Sequence, residues 1–151
     1  MSKIVLDTSV IIEYIDKKAD YHQQAKTIFN TITQGKLEAI IPHPTLTETY
    51  YVATKIYKTL KTKNPQQKAK KLIEWLYRHP QIQIKGLNLQ LALEAGKIKL
   101  KYHIALTDCY VIASTKIYNA KAIFKKREKE LQNKITNIQK EYPIIFLEDY
   151  A

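Results

Sequence analysis

Two rhythms of apolar residues alternate along this chain. Short unbroken runs such as Ile4, Val5 and Leu6 have the length and β-branched character of buried strands. Longer stretches place apolar residues every three or four positions, the signature of amphipathic helices. Lys3–Leu6 reads as a first strand, and a helix follows at once, with Thr8 and Ser9 as capping residues and Val10, Ile11, Tyr14 and Ile15 as its apolar face. A second helix is predicted over residues 20–33, carrying Ala25, Ile28, Phe29 and Ile32, with Gly35 closing it. Residues 38–41 form a second strand ahead of Pro42. Leu46, Tyr50, Ala53, Tyr57 and Leu60 then mark a long helix, and Asn64-Pro65 starts another through Leu72, Ile73 and Leu76. His79-Pro80 ends it, and residues 81–84 alternate as a third strand.

In the last third, Asn88 can cap a helix through Leu91, Ala92 and Ala95, and a further helix spans residues 107–118. Lys121–Phe124 is a fourth strand, residues 126–139 a basic amphipathic helix and residues 144–147 a short last strand. Strand–helix alternation of this kind implies an α/β fold, with a mainly parallel sheet of four or five strands and helices on both faces. With no repeat, low-complexity tract or linker, residues 1–151 are expected to form a single domain.

That architecture gathers acids that are distant in sequence. Crossover helices run antiparallel to their strands, so helix N-termini share an edge with strand C-termini, where such sheets bind ligands. Asp7 follows the first strand, Glu48 lies early in the helix after the second, Asp108 opens the helix leading to the fourth, and Glu128 follows the fourth. Taken singly, each has an ordinary reading: Asp7 and Asp108 as caps, Glu48 as a first-turn carboxylate favoured by the helix dipole, Glu128 and Glu130 as a salt-bridged solvated face. Together on one edge they would repel unless protons or cations compensate them. Hard carboxylate oxygens favour Mg²⁺ or Mn²⁺, ions suited to phosphodiester hydrolysis.

Bulk properties narrow the field. The net charge of +11 draws polyanions, with nucleic acid the commonest partner. Three glycines and no GxxxxGK[ST] or GxGxxG pattern leave no glycine-rich phosphate loop. A single cysteine, Cys109, excludes an intrachain disulfide or thiolate zinc site and reads as a small core residue suited to a reducing cytoplasm. Neither a signal peptide nor a membrane span is expected. The four histidines show no ligand spacing and read as turn or surface residues. Lys121, Lys125, Lys126, Arg127 and Lys129 follow or flank the fourth strand and are candidates to grip RNA phosphates, with a solvated face the competing reading. Thr8, Ser9 and Thr107 are candidates to orient a water or phosphate, and equally to cap.

Three segments carry a family resemblance. Residues 4–12 (IVLDTSVII), 44–52 (PTLTETYYV) and 104–114 (IALTDCYVIAS) resemble, in order, the first three motifs of PIN domains. The resemblance implies metal-binding acids at Asp7, Glu48 and Asp108, with Ser9 beside the site. At the fourth motif, where the family has a Thr-Gly-Asp-like segment, this chain has FKKREKE over residues 124–130. Aligning Leu131 with the family's usual aromatic position makes Glu128 the fourth acid, while a slip of two makes it Glu130. The size is similar to that of toxins of VapBC toxin–antitoxin pairs. That likeness implies an Mg²⁺- or Mn²⁺-dependent endoribonuclease, a homodimer, and silencing by a cognate antitoxin. A housekeeping PIN nuclease and a non-catalytic RNA-binding module on the same fold are the alternatives.

Overall fold

The computed structural model describes residues 2–150, and its framework is one sheet of five parallel strands in the order β3-β2-β1-β4-β5. The strands are β1 (Lys3–Leu6), β2 (Glu38–Pro42), β3 (Ile82–Lys85), β4 (Lys121–Phe124) and β5 (Ile144–Phe146). From β1 the chain builds outward through β2 to β3, then returns to pair β4 on the other side of β1. The order reverses between β1 and β4, and such a switch point leaves a crevice outside the strand C-termini.

Helices cover both faces because the strands are apolar on both. Ile4 and Leu6 pack on one side with Val10 and Ile11 of α1 (Thr8–Ile15), Phe29 and Ile32 of α2 (His22–Thr33), and Leu76 of α4 (Pro65–Arg78). Val5 points to the other side, into Leu91 and Ile98 of α5 (Leu89–Tyr102) and Val111 and Ile112 of α6 (Leu106–Ile117). The long helix α3 (His43–Thr59) joins α4 through Ala53, Tyr57 and Ala69. The alternation along β1, with three of four residues buried, is what a central parallel strand requires.

One element departs from the sequence pattern. The helix expected over 126–139 is two short ones, α7 (Lys129–Gln132) and α8 (Ile135–Glu141). Leu131, Ile135 and Ile138 are all buried, which gave the segment its helical rhythm. Residues 125–127 are instead tied to other parts of the chain: the Lys125 amide donates to Ser9 Oγ at 3.0 Å and the Arg127 amide to Glu148 Oε2 at 2.7 Å. The Glu148 amide donates to the Lys125 carbonyl at 3.1 Å, so these backbone groups are unavailable to a helix. The turn Leu147–Tyr150, a single 3₁₀ turn, also shortens the last strand to Ile144–Phe146. Among the described residues no helix is long and apolar enough to cross a membrane.

Candidate active site

Asp7 occupies the switch point. Its amide donates to the Ile123 carbonyl of β4 at 3.1 Å, and its backbone leaves the strand to cap α1. Oδ2 accepts from the Ser9 amide at 3.0 Å and from Ser9 Oγ at 2.6 Å. Oδ1 is buried and has no hydrogen-bond partner. Asp7 is therefore both a cap and something a cap does not need to be, since a solvated cap has no orphaned oxygen. Burial, followed by repulsion from Glu48, outweighs the Ser9 hydrogen bonds and raises its carboxyl to about 6.

Asp108 sits in the first turn of α6, where the helix dipole favours a carboxylate. Even so its carboxyl is pushed up to about 8, first by burial and then by Asp7, Glu48, Glu130 and Glu128. Glu48, in the second turn of α3, is half-buried and accepts a 3.1 Å bond from Thr107 Oγ1. The acids of β1, α3 and α6 thus share one electrostatic site, and Thr107 orients Glu48 rather than standing free. Thr8 Oγ1, by contrast, is buried against α3, 3.3 Å from Thr49 Oγ1, and braces α1 on α3.

The fourth position stays double. Glu128 and Glu130 are both exposed at the start of α7, and both raise Asp108, with Glu130 the larger influence. No group of three or more His, Cys, Asp or Glu side chains among the described residues is gathered closely enough to hold a metal ion as it stands. The donor set nonetheless suits a hard cation. It is all carboxylate, it has an orphaned buried oxygen at Asp7, and Asp7 and Asp108 take up protons readily for want of other compensation.

The basic residues divide three ways. Lys121 opens β4 at the far end of the strand from Lys125, roughly 13 Å away at strand rise, and so lies apart from the acids. Lys125 and Arg127 reach the right edge but are engaged. Lys125 Nζ is 2.8 Å from Glu13 Oε1, while the Arg127 guanidinium pairs with Glu148 at 3.1 Å and Asp149 at 2.8 Å and lies over the Phe146 ring. Lys126 has no carboxylate partner among the described residues.

Ser9 is the hub of this arrangement, donating to Asp7 and accepting from Lys125. Glu13 was not singled out from sequence. It is 3% exposed, its second oxygen accepts from the Tyr21 amide at 2.9 Å, and through Lys125 it fastens the segment that replaces Thr-Gly-Asp. The available signal was a charge among the apolar positions Val10, Ile11 and Tyr14 of α1. Among the histidines, His22 meets the Glu13 carbonyl and His79 the Gln81 amide, both local contacts. Cys109 is buried, its thiol raised to about 11 mainly by burial, and it is inert packing.

A five-stranded parallel sheet with acids just after β1 and on α3 and α6 around its switch point defines a class. The sequence pattern of the PIN domain matches residues 4–133, and the chain belongs to that family. Its solved structural neighbours include VapC-type toxins. VapBC2 from Rickettsia felis, bound to a DNA fragment from its promoter, superposes with a TM-score of 0.63 at 15% identity, over 95% of this chain and 98% of that one. A toxin–antitoxin complex from Klebsiella pneumoniae gives 0.62 at 14% identity, over 95% and 97%. VapC20 from Mycobacterium tuberculosis, a sarcin-ricin loop cleaving toxin, gives 0.62 at 13%, over 79% and 86%. A search of curated proteins finds no match.

Proposed function

We propose that this chain is a divalent-cation-dependent endoribonuclease and the toxin of a toxin–antitoxin pair. One observation carries the reading: the buried, unpartnered Oδ1 of Asp7 beside Glu48 and Asp108, a cluster in which burial and mutual repulsion raise the carboxyls of Asp7 and Asp108. A hard cation such as Mg²⁺ or Mn²⁺ relieves both features. Asp7 and Asp108 would hold it, with Glu48 and either Glu128 or Glu130 completing the set. When bound, the cation supplies positive charge for phosphodiester hydrolysis.

The chain's own groups do the rest. Ser9 engages Oδ2 of Asp7 and leaves Oδ1 without a protein partner. Thr107 holds Glu48 toward it. Lys126 is the cation of the 125–127 segment free to meet a phosphate, and the overall charge of +11 steers RNA to an acidic centre. The toxin assignment draws on the family and on neighbours of known toxin–antitoxin type, and it entails a cognate antitoxin, a homodimer and a cytoplasmic setting.

The alternative of a non-catalytic RNA-binding module is favoured by the loose, exposed fourth acid. Labelled RNA incubated with Mg²⁺, Mn²⁺ or EDTA separates the two. The nuclease reading predicts cleavage that requires the cation and is lost in Asp7→Asn and Asp108→Asn. Cleavage that survives EDTA or both substitutions refutes the metal mechanism, and RNA binding without cleavage, indifferent to EDTA, points to the module. A small reading frame for an antitoxin beside the gene separates a toxin from a housekeeping nuclease.

A further inference from the structure

A concavity of about 340 Å³ adjoins the carboxylates and shares Glu48 and Thr107 with them as a wall. Its remaining lining is of a different kind. His43, Thr47 and Tyr51 recur every four residues on one face of α3, and Pro44 and Leu87 supply apolar surface. Tyr51 is 47% exposed and Leu87 61% exposed, an aromatic side chain and an aliphatic one bordering the same space. Lys55, one turn beyond Tyr51, holds its ammonium 5.6 Å from the ring centroid.

We infer that this concavity is a nucleobase subsite, in which Tyr51 stacks on the base beside the phosphate held at the carboxylates. The inference rests on the ribonuclease reading and deepens it. Tyr51 lies three residues after Glu48 on α3, so their Cβ atoms are roughly 5–6 Å apart. That is the separation of a nucleobase from its own phosphate in a chain draped over both. A flat heterocycle needs a π-face, an apolar floor and hydrogen-bonding groups at its edge, which Tyr51, Leu87 with Pro44, and His43 with Thr47 provide. The volume is at the low end of small-molecule sites, right for one nucleoside and too small for a partner's helix. Lys55 stands where the next phosphate would pass. The concavities around Trp75 and between Lys101 and Asn137 share no residue with the acids.

The test uses the full chain and short RNAs that carry either an ordinary or an abasic nucleotide at each position in turn. Binding in EDTA, read by fluorescence anisotropy, accompanies cleavage kinetics. Tyr51→Ala is expected to raise KM and weaken binding about 5- to 150-fold, the worth of one base–aromatic stack, with little change in kcat. The same loss should follow from one abasic position in the wild type, and Tyr51→Ala should no longer notice that position. Tyr51→Phe, which keeps the ring, should behave as wild type. Unchanged binding and unchanged abasic sensitivity in Tyr51→Ala overturn the subsite. So does a change confined to the molecular mass in solution, which makes the concavity a protein interface. A wild type that binds but cuts no RNA defeats the nuclease reading alone, and the anisotropy comparison still decides the subsite.

Discussion

Asp7→Asn separates the two roles of Asp7, because Asn caps a helix about as well as Asp but carries no charge. In the metal-free fold the Asp7 carboxyl is raised from 3.8 to about 6. A folded-state value above the unfolded one means that the stability it contributes is complete below about pH 4 and is lost as pH rises through about 6. At ~1.4 kcal/mol for each tenfold change in proton affinity, ionised Asp7 costs the fold up to ~3 kcal/mol at pH 8 and ~1 kcal/mol at pH 4.5. Asp7→Asn removes that cost and keeps an oxygen for the Ser9 amide and hydroxyl. The variant should therefore be more stable than wild type in EDTA, by a margin that grows by about 2 kcal/mol between pH 4.5 and 8. Urea titration at the two pH values measures it. Saturating Mn²⁺ should reverse the order, because only the wild type gains the cation's binding energy. A variant less stable than wild type by the same amount at both pH values would contradict the cost of ionised Asp7 and leave it as a cap alone.

Further expectations follow from the neighbouring groups. Glu13→Gln strands Lys125, and denaturant melts should show a loss of about 2–4 kcal/mol, below the full cost of a buried pair because Lys125 keeps 29% exposure; a loss under about 0.5 kcal/mol contradicts the bracing role. Lys126→Ala should lower the salt dependence of RNA binding by about one phosphate contact, whereas Lys121→Ala should leave it unchanged and Arg127→Ala should chiefly destabilise the fold. Since Asp7 titrates near 6 and Asp108 near 8 without metal, Mn²⁺ must displace protons from them. Its affinity should rise steeply from pH 6 to 8, with proton release detectable by calorimetry in buffers of different ionisation enthalpy; a flat profile contradicts this.

The strands were legible because each pairs a short apolar run with a turn or cap, and the acids followed from the right-handed crossovers those strands demand. The long basic helix was misread for a specific reason. Leu131, Ile135 and Ile138 are spaced as in one helix, but the hydrogen bonds that stop the helix before Lys129 come from Ser9 and Glu148, over a hundred residues upstream and about twenty downstream. The same holds for the rim. Lys125 and Arg127 looked free because their partners Glu13, Glu148 and Asp149 lie elsewhere in sequence, and local charge patterning carries no information about them. Glu13 was not singled out because its partners Tyr21 and Lys125 lie outside its own helix, and a buried charge is rare.

The most direct test of the cation centre is anomalous diffraction from crystals grown with Mn²⁺. A peak bonded to Asp7 Oδ1 and to Asp108 is expected, with Glu48 and one of Glu128 or Glu130 within reach of its ligand shell. Full Mn²⁺ occupancy elsewhere, with Asp7 Oδ1 still unpartnered, would contradict it.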